Sequence, residues 1–308
     1  MVVHKRIANR FREIVSGSPD GKPEWVKLIA HGQGPGLYGP DSAVWQVHGS
    51  VATLVGGIRA LLLQAAHPAA LSGVKEHSRF ESDLLGRLAG TARWLTITTF
   101  GSIEAISKEA TRVNAMHSRV SGTYLRKDGQ LAPYQATDPR FLLWVHCAFT
   151  ESFLRTHLAM GNSITHGANA YISEWSKSAE GLGLIGAPKS EEELKDVMED
   201  FLENDLTNTP QTTEVVKFIL KPPLGKSSLI LYRILANAAI ATLSDGQRQV
   251  LGLKQVSPIW TFLCKKILSL LTLILGPESP SQAIARERIA KEGEQEILTS
   301  LGLPPHNS

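Results

Sequence analysis

Cysteine is almost missing from this chain: among 308 residues there are two, Cys147 and Cys264, far apart in sequence. They make neither a zinc-type pair nor a disulfide framework, so a reducing, cytoplasmic setting is the expectation. Aromatic residues are scarce at 6%, charged residues are an ordinary 20%, and the formal net charge is only +3. Bulk charge therefore gives no reason to expect a nucleic-acid partner. Long apolar runs are also missing. The most apolar segment, residues 267–275 (ILSLLTLIL), lies between Lys265-Lys266 and Gly276-Pro277. A bilayer span needs about 20 apolar residues, so this segment reads as a buried or interfacial helix that touches a membrane at most from its surface. The N-terminus, MVVHKRIANRFREIV, is charged every few positions and lacks the apolar core and cleavage site of a secretory signal. Oligomeric state leaves no trace in the sequence.

Several catalytic signatures are missing as well. There is no HExxH, no ExxH carboxylate pair, no HD dipeptide and no GxSxG elbow. GLGLIG at 181–186 matches the dinucleotide-binding glycine pattern literally, but no strand precedes it and Pro188 follows closely.

What is present is helical patterning. Hardly any segment alternates with period two, so the fold class is all-α, in a single globular domain. A basic amphipathic helix is expected within residues 1–30, then a glycine- and proline-rich loop at 31–40. Asp41-Ser42 opens a helix through Trp45, His48 and Arg59 to Ala66, stopped by Pro68. Further helices are expected over 83–99, 102–121, 138–160 (Asp138 N-cap, Pro139 in the first turn), 191–203 (Ser190 and Glu193 as a capping box), 213–220, 227–243, 256–275 and 279–298.

Against this pattern a few polar residues stand where helical periodicity calls for apolar ones. Ile106, Ala110, Val113, His117 and Val120 share one arc, with Lys108, Arg112 and Arg119 opposite. His117 is thus either a core histidine bonded to a backbone carbonyl or an axial iron ligand. Arg87 shares a face with Leu84, Thr91, Trp94, Leu95 and Thr98; a buried arginine must meet an anion or several acceptors. A ligand carboxylate and a structural glutamate both qualify. The Thr91 hydroxyl can face a ligand or bond back to its own helix. His146 sits on a helix apolar over most of its circumference, beside Phe149 and Phe153, as a second pocket wall or a satisfied core residue. His67, at a helix end where the dipole favours imidazolium, and His77 with Arg79 in a following loop are weaker pocket candidates. So are Trp45, His48 and Arg59.

Taken together, Val44-Trp45-x-Val47-His48-Gly49, Gly56-Gly57-x-Arg59-Ala60-Leu61, Gln64-x-x-His67-Pro68, Gly73-Val74-x-x-His77-Ser78, Gly86-Arg87-Leu88-x-x-Thr91, Thr99-Phe100-Gly101, His117-x-x-Val120-x-Gly122 and Asp138-Pro139-x-x-x-x-Trp144-Val145-His146 resemble the oxygenase MpaB/rubber oxygenase catalytic domain family, which includes latex clearing protein. The likeness is to its short stand-alone members and covers about residues 35–260. It implies a globin-like helical core holding haem b, with His117 as the proximal iron ligand and Arg87 and Thr91 on the distal side. Gly90 stands where the latex enzymes have a lysine beside the threonine. The threonine-to-histidine spacing also differs, which leaves His146 as the alternative ligand. The implied activity is that of a haem-dependent oxygenase using dioxygen on an apolar, isoprenoid or lipid-like substrate. The alternative is a helical protein that binds haem or lipid without turnover. On this reading residues 1–34 are a basic helix and loop, 35–260 the haem-binding domain, and 261–308 C-terminal helices packed on the same domain.

Overall fold

A computed structural model describes residues 23–77, 84–223 and 225–300, and of residues 73–77, 84–89, 226–227 and 294–300 the backbone alone. The expected N-terminal basic helix and Arg79 lie outside the described residues. After a turn of 3-10 helix at Glu24–Val26 come α1 (Lys27–Ala30), α2 (Ala43–His48), α3 (Thr53–Ala65), α4 (Pro68–His77), α5 (Leu84–Phe100) and α6 (Ile103–His117). A hairpin of β1 (Ser121–Leu125) and β2 (Leu131–Gln135) follows, then α7 (Pro139–Ala159), α8 (Gly167–Trp175), α9 (Lys177–Glu180), α10 (Glu191–Asn204) and α11 (Pro210–Leu220). The chain closes with α12 (Lys226–Ala241), α13 (Asp245–Val250), α14 (Ile259–Leu275) and α15 (Pro280–Ser300). The fold is all-α apart from the hairpin.

The centre is α3, because a helix that is apolar nearly all round needs neighbours on every side. Val55, Ile58, Ala60, Leu62 and Leu63 are all buried in it. It lies along α7 and is enclosed by α4, α11 and α12. At Gly56 a side chain would meet Phe153 of α7, since a Cβ there would stand 2.5 Å from its ring; glycine allows the close approach. The hairpin leans on α4, α14 packs on α12, and α15 lies against α1 and α5.

Three expectations need correction. The helix expected from Asp41 to Ala66 is broken between His48 and Thr53. Ser50 breaks it: its Oγ accepts from the Ala52 N–H at 3.1 Å and its carbonyl accepts from Thr53 Oγ1 at 2.8 Å, replacing helical bonds with local ones. The helix expected to reach 121 stops at His117, because Gly122 is a poor helix former and Thr123 and Tyr124 favour extended backbone. They pair as β1 with β2, from Ser121 opposite Gln135 to Leu125 opposite Leu131, around Asp128-Gly129 with Gly129 at φ +82°. Finally, His77 ends helix α4 rather than lying in a loop.

On the outside of α14, Ile259, Phe262, Leu263, Leu270 and Leu273 are exposed, while Cys264, Leu268 and Leu271 face the body. Among the described residues no single helix is long and apolar enough to cross a membrane. The bent pair of α14 and α15 meets the test jointly, at an angle of 47°.

Candidate functional site

The α5–α6 hairpin carries the two leading candidates, Thr91 and His117. Ser102 turns the corner by capping α6, accepting from the Ala105 N–H at 3.2 Å. An ionic clip then locks the arms. Glu109, 1% exposed, accepts at Oε2 from Arg93 Nε and NH2 (2.9 and 2.7 Å), and at Oε1 from Arg112 Nε and NH2 (3.0 and 2.6 Å). Burial alone would raise its pKa, but the two guanidiniums outweigh that and hold it below the usual value. The clip fixes the register of α5 on α6 and so positions both candidates.

Thr91 is half-buried on α5, and Thr98, two turns on, has a buried hydroxyl without a hydrogen-bond partner. Arg87 lies on the backbone of α5, but its side chain is outside the described residues. His117 is the last residue of α6, half-buried at the end of the stripe Ile106, Ala110, Val113. Its Nδ1 is buried and unpartnered, and burial, helped by the positive charge of Arg112, lowers its pKa. His146 lies on α7, its ring stacked on Trp175 at 6.4 Å and 11°. Its Nε2 is buried and unpartnered, and burial pushes its pKa down to about 4. The Trp175 Nε1 beside it is also unpartnered. Among the described residues no hydrogen bond or ring contact joins Thr91, His117 and His146, and no three His, Cys, Asp or Glu side chains converge as metal ligands.

The remaining candidates have structural work. The lone pairs and protons of His48 are both used. Thr99 Oγ1 donates to the Leu95 carbonyl, so it accepts from His48 Nδ1–H at 2.8 Å, and the Tyr171 hydroxyl donates to Nε2 at 3.0 Å. Trp45 Nε1 donates to the Tyr38 carbonyl at 3.0 Å. Arg59 is a buried tie between α3 and α7, bonded to Ser152 (3.0 Å) and Gln247 (3.0 Å) and ion-paired with Glu151 (3.0 Å). His67 reverses the dipole expectation. It precedes Pro68 at the start of α4, and its Nδ1 accepts from the Ala69 N–H at 3.2 Å, which puts the ring proton on Nε2. The ring is wholly buried among Phe141, Trp144, Phe201 and Tyr124, and its pKa is pushed down to about 4 by burial, so it stays neutral. With Nδ1 engaged and Nε2 protonated it has no lone pair for a metal. His117 and His146 each keep a shielded nitrogen free. At GLGLIG, Gly183 (φ +83°) and Gly186 (φ +81°) form turns after α9 with no strand before them, which is not a dinucleotide-binding arrangement.

No curated protein and no solved structure matches the chain. A family model does, over residues 45–272: "ER-bound oxygenase mpaB/B'/Rubber oxygenase, catalytic domain". That interval runs from α2 into α14 and takes in Thr91, His117 and His146. The chain belongs to this oxygenase family.

Proposed function

We propose that the protein is a haem b-dependent oxygenase that acts with dioxygen on an apolar, isoprenoid or lipid-like substrate. The reading is carried by the buried, unpartnered ring nitrogens of His117 and His146 in a chain of an oxygenase family. A buried polar atom without a partner is costly, and a neutral imidazole with a free nitrogen is a common iron donor. These residues fit a haem, whose iron needs only one or two protein donors. His117 would hold the iron, with His146 as the alternative, while Arg87 and Thr91 would hydrogen-bond on the distal side. Bound there, haem would supply the activation of dioxygen. The chain's own part is to keep the donor imidazole neutral, to hold the hairpin rigid through Glu109 and, at the alternative donor His146, to shield the ring with Trp175.

The test is an absorption spectrum of the purified full chain with and without haemin. A Soret band that His117→Ala or His146→Ala abolishes supports the reading and tells the two donors apart. A protein that takes up no haemin overturns it. Dioxygen uptake that depends on an added polyprenyl or unsaturated lipid separates the oxygenase from a protein that only stores haem or lipid.

A further inference from the structure

Beside α5, where Ala92 and Thr96 border it, lies an open groove of about 830 Å³ whose lining includes Trp45 and His48 but neither Thr91, His117 nor His146. Its wall follows α14 from Lys265 through Leu268 and Thr272 to Leu275. Ten residues of helix span about 15 Å, so the groove is elongated. Its two ends differ. At one, Lys265 is half-buried and forms no ion pair among the described residues; it lies beside Gly161, at the C-terminal end of α7. His157, one turn before Gly161, is 3% exposed and lines the same groove. Its Nε2 donates to the Ser163 carbonyl at 3.2 Å, which leaves Nδ1 as a buried acceptor with no partner. Toward the other end of α14 the lining comprises Leu275 and Ile284 together with Glu278, Ser279 and Gln282.

An unpaired cation and an unpartnered imidazole in one elongated, mostly apolar groove describe a receptor for a single-chain amphiphile. We propose that this groove binds a long-chain carboxylate, its head group on Lys265 and His157 and its tail along α14 toward Leu275. The carboxylate gives Lys265 its missing counter-ion. In its acid form it donates O–H to His157 Nδ1; as an anion it accepts from that nitrogen once protonated. The site does not depend on the haem reading, because it uses different residues.

The test is calorimetric titration of the full chain with dodecanoate, hexanoate and dodecanol. Dodecanoate should bind saturably, with affinity falling about fourfold for each methylene removed toward hexanoate. Lys265→Met, which keeps the stem and removes the charge, should weaken dodecanoate by about tenfold or more and leave dodecanol unchanged. Thr272→Trp, which fills the groove, should abolish binding of both. Absence of saturable dodecanoate binding overturns the proposal, and so does a Lys265→Met protein that binds it as the wild type does. Displacement of dodecanoate by haemin would make the groove a haem site and would equally overturn it. Pelleting with anionic phosphatidylglycerol vesicles without binding monomeric dodecanoate would assign the α14 region to a bilayer instead.

Discussion

Lowering the pH from 7 to 5 should cost the cofactor-free protein about 5 kcal/mol of stability, as three histidines locked neutral in the fold require. His48, His67 and His146 have pKa values pushed down by burial from 6.5 to about 3, 4 and 4. Above about pH 6.5 the folded and unfolded chains both carry them neutral, and nothing is lost. Below it the unfolded chain takes up protons that the folded chain refuses, so stability falls as the pH falls, until the folded values are reached. Each group contributes about 1.4 kcal/mol per pH unit once the unfolded form is fully protonated. Integrated from pH 7 to 5, that is roughly 1.8 kcal/mol per histidine, hence the total. Glu109 and Asp200, whose pKa values are lowered, lose their contributions only at and below the ordinary carboxylate range, so this window belongs to the imidazoles. Urea melts followed by far-ultraviolet circular dichroism at pH 7, 6 and 5 and fixed ionic strength measure the slope. His48→Gln should reduce it by less than a third, because His117 and His157, whose pKa values burial also lowers, add to the same slope. An extrapolated stability at pH 5 within about 1 kcal/mol of the pH 7 value would refute the argument.

Two substitutions test the polar ties. Glu109→Gln should destabilise the fold by about 2–3 kcal/mol, near the low end for a broken buried pair because Arg93 and Arg112 can still reach water. The exposed Glu104–Lys108 pair is the control, and Glu104→Gln should leave the urea midpoint unmoved. Arg59→Met should destabilise by about 3 kcal/mol, since it leaves Glu151 facing an apolar neighbour. Adding Glu151→Gln should recover part of that loss in the same melts; a double variant no more stable than Arg59→Met would show that the charge left behind is not the cause.

The helices whose starts are written in local chemistry were legible. Asp138 caps α7 with Pro139 in its first turn, and Ser190 caps α10 through the Glu193 N–H at 3.1 Å. The second half of that capping box differs, because Glu193 Oε2 accepts from the Lys189 N–H instead. Thr209-Pro210 carried the same signal for α11, which begins there rather than at 213. The hairpin announced itself only by Asp128-Gly129 and two short alternating flanks, easily lost in a helical chain. At the candidate site, periodicity put His117 mid-face on a buried stripe running on to Val120; the helix instead ends at His117, which is half-buried, and Val120 lies beyond it. Periodicity could not show that Thr99 and Tyr171 satisfy His48 or that Trp175 covers His146, because those partners come from distant parts of the chain. Lys265 and His157 line one groove from positions more than a hundred residues apart, and that groove was invisible in sequence for the same reason.

Arg288 on α15 gives the chain a schedule. It donates to the backbone carbonyls of Ile29, Gly34 and Phe100, and Glu292 accepts from the Gly34 N–H. The loop carrying these groups also presses Gly36 against the α5–α6 corner, where a Cβ would come within 2.0 Å of the Gly101 carbonyl oxygen. Contacts between residues some 250 positions apart form late, because loop closure must precede them. During synthesis the 31–40 loop therefore waits with the Gly34 carbonyl open until α15 has emerged. Among the described elements, α15 is what completes the fold at that loop.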